Sequence, residues 1–162
     1  IMVTTSESLA NAVSDEVERQ LKLLPRESIA RPAIENNSYI AIMDSIEDMF
    51  TVMNEVAPEH LEIQLPDPMN YMSLVQNAGS VFLGAYASEP LGDYVGGTNH
   101  VLPTSGTARF SSPLGVYDFV KRTSFTQFTK ERLEEVAKHI TTLARTEGLE
   151  AHARAIEVRF EK

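Results

Sequence analysis

The sequence predicts an α/β fold followed by a helical tail, and three observations carry that expectation. Short apolar runs alternate with amphipathic stretches over residues 1–83; a segment rich in Gly, Pro, Ser and Thr, residues 84–113, breaks the alternation; and beyond Thr129 the apolar spacing becomes that of a helix. Composition agrees with a folded domain. The 162 residues are 43% hydrophobic and 23% charged with a mean hydropathy of −0.17, and a chain of this length buries roughly 70% of its unfolded surface.

Ile1 to Thr4 reads as a short strand. From Ser6, Leu9, Val13, Val17 and Leu21 recur every fourth residue, predicting a helix capped by Thr5 or Ser6 and closed by Pro25. Pro32 makes Arg26 to Asn37 a shorter or broken helix, because proline lacks the amide that the helix interior needs. Ser38 to Met43, with Tyr39, Ile40 and Ile42, reads as a buried strand, followed by a helix from Ser45 to Val56 carrying Ile46, Met49, Phe50 and Met53. A strand at Leu61 to Gln64, a helix at Pro68 to Asn77 and a strand at Ser80 to Leu83 continue the βαβ order.

Phe82, Tyr86, Tyr94, Val101, Leu102 and Phe110 run through and beside the loop from Gly84 to Pro113, which argues for an ordered functional loop over a disordered one. In the tail, Leu133, Val136, Ala137, Ile140, Leu143 and Ala144 follow the helical template up to Gly148. A last helix, Leu149 to about Phe160, places His152, Ile156 and Arg159 on one stripe. The boundary between the two parts falls near Leu114.

The charge balance, 14 Lys+Arg against 23 Asp+Glu for a net −9, lacks the basic excess that nucleic-acid phosphates or anionic lipid require. No apolar run spans a bilayer and no signal pattern opens the chain, so a soluble, cytoplasmic location is expected. The absence of cysteine excludes disulfides, thiolate metal sites and a thiol nucleophile. The apolar start at Ile1, Met2 and Val3 is what a piece cut from a longer chain would show.

Three constellations offer chemistry. Pro58-Glu59-His60 places two proton acceptors at a turn, which suits two proton abstractions; a solvated Glu and a surface His on a Pro-turn is the plainer alternative. The stretch Gly92-Asp93-Tyr94-Val95-Gly96-Gly97-Thr98-Asn99-His100 combines a permissive backbone with metal-ligand residue types, without matching a nucleotide-binding fingerprint. Glu147 and His152 flank a helix break and form either a site or an interface, whereas His139 lies off the apolar stripe and reads as surface. Asp93 with His60, His100 or His152 would make a metal site, although spacing alone supports it weakly.

The strings NEVAPEHLEIQ, NAGSVFLGAYASEPLGDYVGGTNHVLPTSGTARFSSPLGVYDFVKRTS and EGLEAHARAIEVR, in that order, resemble the C-terminal half of histidinol dehydrogenase along essentially the whole chain. That family is a zinc-containing, NAD-dependent homodimer with intertwined subunits that oxidises L-histidinol through the aldehyde to L-histidine. The resemblance implies that Glu59 and His60 are the catalytic pair, His60 taking the alcohol proton and Glu59 activating water. It implies that Asp93 is a zinc ligand and that His152 is another, supplied to the partner subunit. His60, Asp93, His100, Glu147 and His152 would contact substrate, whereas the NAD contacts lie mostly outside this chain.

For the fold, the resemblance implies a partial Rossmann-like α/β/α layer over residues 1–114, the second half of a catalytic domain, and a small C-terminal helical dimerisation domain over residues 115–162. The strands near Ile1 to Thr4, Ser38 to Met43 and Ser80 to Leu83 would share that layer. Two further zinc ligands, a Gln and a His, lie upstream in the family, so this chain alone is expected to be inactive without a missing N-terminal half. Two other readings compete. A non-catalytic assembly module of the same family would dimerise tightly without zinc or substrate affinity, and a metal-assisted hydrolase using Glu59 and His60 would cleave an amide or ester. An incomplete layer exposes apolar surface, so light scattering of the isolated chain should show dimers or larger species; a homogeneous monomer at high concentration would count against it.

Overall fold

The computed structural model describes residues 1–161 and divides after Val120 into two compact units. In the first unit, β1 (Met2–Thr4) and β2 (Ile40–Ile42) pair in parallel with Met2 opposite Ile40 and Thr4 opposite Ile42. Parallel neighbours need a crossover. Here it is α1 (Glu7–Leu21) and α2 (Glu27–Asn37). Ser6 begins α1 as expected, its hydroxyl accepting from the Leu9 amide at 3.2 Å.

Pro32 does not break α2, which runs as one helix through it. Only one backbone bond is forfeited by a proline in mid-helix, and ion pairs of Arg31 within α2 and to α1 flank the turn. Its guanidinium meets Glu18 of α1 at 2.9 Å, Glu27 at 2.7 Å and Glu35 at 3.6 Å. Between the two helices lies an open apolar groove of about 700 Å³ lined by Val13, Val17, Leu21, Leu24, Ala33 and Ile34.

Expected burial fails at β2. Ile40 is 41% exposed and Ile42 52%, with Tyr39 exposed beside them. Helices α1 and α3 (Ile46–Val56) reach the β1–β2 pair, but they leave one face of β2 uncovered. Period-two alternation then puts both isoleucines on that face.

A second parallel pair, β3 (His60–Ile63) with β4 (Ser80–Leu83), aligns His60 with Ser80 and Ile63 with Leu83. Among the described residues no ladder joins the two pairs, so the strands do not form one hydrogen-bonded sheet. The chain is thus mixed, helices with short parallel strands. Between β3 and β4, Pro68–Leu74 winds as a 3₁₀ turn instead of the expected α-helix to Asn77. Asn54 of α3 competes for that backbone: its amide donates to the Leu74 carbonyl at 2.9 Å, and its carbonyl accepts from Gln76 at 2.8 Å and Asn77 at 3.2 Å.

The core gathers Phe50 of α3 with Leu61 and Ile63 of β3, packed by Ile46, Met53, Tyr71, Leu74 and Val81. Phe50 stacks on Tyr71 with centroids 6.0 Å apart. Within residues 84–113 the chain forms a short helix, α4 (Glu89–Tyr94), and a 3₁₀ turn at Thr107–Arg109. Its aromatic residues are not core: Tyr86, Tyr94 and Phe110 are all largely exposed.

In the second unit, α5 (Lys130–Thr146) is capped by Thr129 and ends before Gly148, whose φ of +75° suits a residue without Cβ. Helix α6 (Glu150–Glu157) follows, tied back by Arg145 to Glu150 at 2.9 Å and to Glu157 at 2.9 Å. The α5 stripe is largely the one expected: Leu133, Val136, Ala137 and Ile140 are half-buried and Ala144 is buried, with Thr141 buried beside it and Leu143 exposed. On α6 the stripe is displaced, since Ala153 is buried while His152 is exposed. No helix among the described residues is long and apolar enough to cross a membrane.

The Glu18–Arg31 pair carries a pH dependence. Hydrogen bonds from Arg31 and then Lys22 hold the Glu18 carboxyl at about 2, below the usual 4.5. A carboxyl whose folded value lies below its unfolded value stabilises the fold above the unfolded value and ceases to as pH falls through the folded one. Amide protection along Glu27–Asn37 should therefore weaken between pH 4.5 and about 2. Hydrogen exchange measures it, and Arg31→Met should remove that pH dependence.

Candidate functional site

The site begins at the C-terminus of α3. Ala57, 1% exposed, takes a left-handed φ of +50° and still donates to Met53 O at 3.0 Å, turning the chain into Pro58, Glu59 and His60. A left-handed turn ends the helix and sends the chain onward as β3. There the alternation sorts side chains: Leu61 and Ile63 are buried, whereas His60 and Glu62 occupy the opposite face.

Against that outer face lies α4. Glu89 and Asp93 are four residues apart and so share one side of the helix. Among the described residues, ligating atoms of His60, Glu89 and Asp93 lie within 4.8 Å of one another, His60 and Glu89 half-buried and Asp93 exposed. One imidazole and two carboxylates can bind a divalent cation or exchange a proton. A hydrogen bond with the Asp93 carboxyl is the main cause holding Glu89 above the ordinary carboxylate range. Partial desolvation and the charges of Asp93 and Glu62 push the same way, and His60 opposes them. Two carboxylates placed side by side disfavour each other's charged form, which a bound cation would offset.

Packing holds the helix over the strand. The Phe82 ring of β4 lies with its centroid 6.1 Å from that of His60. It also meets α4 at Gly92, where an added Cβ would sit 2.8 Å from Cε1 and 2.9 Å from Cζ of that ring. A second tight approach secures Glu59: a Cβ on Gly79 would lie 2.5 Å from the Glu59 carbonyl oxygen. That oxygen accepts from Ser80 N at 2.8 Å, and Pro58 O accepts from Gly79 N at 2.9 Å. Further along, Asn99 donates to Leu114 O at 2.9 Å and accepts from Val101 N at 2.7 Å, closing the loop on itself.

Of the residues singled out in the sequence, His60 and Asp93 come together; Glu59 adjoins His60 in the chain but is outside the cluster. His100 is exposed and is not in the cluster. Glu147 and His152 belong to the second unit, both exposed. His139 is exposed, as expected. Glu89 was missed. Its signal was present as Ser88-Glu89-Pro90, a helix start with proline in the first turn, followed by an acid at the i+4 position. The glycines on either side of Asp93 hid it within a stretch that reads as loop.

The sequence profile of the histidinol dehydrogenase family matches residues 1–160. The chain is 67% identical over 161 residues to histidinol dehydrogenase of Lactiplantibacillus plantarum, covering 99% of this chain and 38% of that protein. It is 60% identical over 162 residues to the Streptococcus mutans enzyme of the same name, covering 100% of this chain and 38% of that protein. The crystal structure of histidinol dehydrogenase from Elizabethkingia anophelis superposes with a TM-score of 0.79 at 40% identity, covering 98% of this chain and 36% of that one. The chain thus spans 38% of the length of these curated relatives.

Gly92→Ala should push α4 away from Phe82 and cost about 1–3 kcal/mol, the usual penalty of overpacking. Urea denaturation measures the loss, and an unchanged midpoint would show that α4 does not rest on that ring.

Proposed function

The chain belongs to the histidinol dehydrogenase family, and from that premise we propose that it is the C-terminal part of a zinc-containing, NAD-dependent enzyme of histidine biosynthesis. The reaction is oxidation of L-histidinol through the aldehyde to L-histidine. The observation that carries this reading is the meeting of His60 with Glu89 and Asp93 between β3 and α4, because the resemblance assigns a proton acceptor to His60 and a metal ligand to Asp93.

In this reading His60 accepts the alcohol proton at a ring nitrogen as hydride leaves the adjacent carbon for NAD. Glu59 takes a proton from the water that adds to the aldehyde. The hydrate then passes a second hydride to a second NAD, so one alcohol, one water and two NAD give the carboxylate, two NADH and three protons. Asp93 and His152 would hold zinc with ligands outside this chain, and the hydrogen-bonded pair of acids at Glu89 and Asp93 is a setting that a divalent cation suits. A zinc ion held there would supply a Lewis acid that fixes the position of the substrate. His100 and Glu147 complete the substrate contacts, and none of these roles requires a cysteine.

His152 is exposed on α6, which supports its use by the partner in an intertwined homodimer. We assign residues 115–162 to a helical dimerisation domain and residues 1–114 to the second half of a Rossmann-like catalytic domain. The exposed Ile40 and Ile42 support a layer that the remainder of the enzyme covers. This chain alone is then inactive, and a cytoplasmic setting suits a soluble biosynthetic enzyme.

Mixing the chain with the complementary N-terminal region, then adding histidinol and NAD, should produce NADH that neither part produces alone. No turnover from the mixture would overturn the assignment. Within the active assembly, Glu59→Gln should slow aldehyde oxidation by about 10²–10⁴-fold and alcohol oxidation less. Equal slowing of both steps would remove its separate role. His152→Ala should lower the zinc content measured by elemental analysis while the first unit keeps its fold.

A further inference from the structure

Helix α4 lacks its own cap. Ser88 occupies the N-cap position, yet its side chain makes no capping bond. The bond comes instead from the neighbouring strand: Oε1 of Glu62 accepts from the Glu89 amide at 3.1 Å. The other carboxylate oxygen, Oε2, accepts from Gln64 Nε2 at 3.1 Å, so the side chain is held at both ends of its fork.

Two facts make this contact more than a surface bond. A helix of six residues has little intrinsic stability, since nucleation alone is unfavourable and few internal bonds follow. Moreover, Glu62 and His60 stand two residues apart on the same face of β3. The strand that carries His60 therefore also grips the first residue of the helix that carries Glu89 and Asp93. Gly92 against Phe82 sets how closely the helix approaches, and Glu62 sets where along the strand it starts.

We propose that Glu62 is a positioning residue, its carboxylate capping α4 from β3 and thereby aligning Glu89 and Asp93 with His60. It acts through Glu89, whose amide it holds. The consequence for catalysis rests on the function proposed above; the consequence for structure does not.

The test separates the two. Hydrogen exchange and the imidazole NMR signals of His60 are measured in the chain with Glu62→Leu, which removes the acceptor, and with Glu62→Gln, which keeps a carbonyl oxygen in its place. Glu62→Leu should speed exchange along Glu89–Tyr94 about tenfold, the usual effect of losing a cap, and shift the His60 signals while α1 amides stay protected. Glu62→Gln should restore both within about twofold. If Glu62→Leu unfolds α1, Glu62→Asp, too short to reach, takes its place. Unchanged exchange and unchanged His60 signals overturn the proposal, as does failure of glutamine to restore them.

In the histidinol-oxidising assembly, kcat/KM for histidinol should fall about tenfold in Glu62→Leu, recover in Glu62→Gln, and leave KM for NAD unaltered. A rise in KM for NAD alone, or no fall in kcat/KM with histidinol, overturns the catalytic consequence. A wild-type assembly that oxidises no histidinol overturns the proposed function, and the exchange and NMR comparison still decides the role of Glu62.

Discussion

A strand of four residues, β3, has to serve two surroundings at once, and the first unit is organised around that division. Leu61 and Ile63 enter the apolar cluster with Phe50, which anchors the strand and excludes water from one side. His60 and Glu62 are thereby presented to the other. A register slip of one residue would exchange the two sets, burying a histidine and a carboxylate and exposing two large aliphatic groups. The core that stabilises the strand is thus the same device that orients the His60 imidazole.

Close approach is the second constraint. Gly79 against the Glu59 carbonyl and Gly92 against the Phe82 ring come nearer than a Cβ tolerates. The second contact seats α4 on β4 within the glycine-rich segment. Glycine there lets the surrounding elements pack onto β3 and β4, whereas at Gly148 it serves a different need, a left-handed helix end.

Apolar exposure is uneven. In the first unit it includes β2 and the α1–α2 groove, with Leu9, Ile29, Ile40 and Ile42 among the exposed large residues. Hydrophobic surface of this kind is what protein interfaces cover. The matched relatives are longer than this chain. Arg31 joins the helix pair that bounds the groove through Glu18, while its pairs with Glu27 and Glu35 lie within α2.

By itself the sequence determined the order of elements and most of their ends. Serine and threonine caps at Ser6, Ser45 and Thr129, the apolar spacing of the long helices and the stop at Gly148 are local signals, read from a few neighbouring residues. The family was also legible, because its residue strings are long and specific. Tertiary structure decided the rest. Helix α2 runs whole through Pro32 with ion pairs flanking the turn, Asn54 drew Pro68–Leu74 into a 3₁₀ turn, and the lack of a covering layer left Ile40 and Ile42 exposed. The site was half legible: His60 and Asp93 stood out by residue type, but their meeting, and the parts played by Glu89 and Glu62, arise from contacts across about thirty residues of chain that no local pattern encodes.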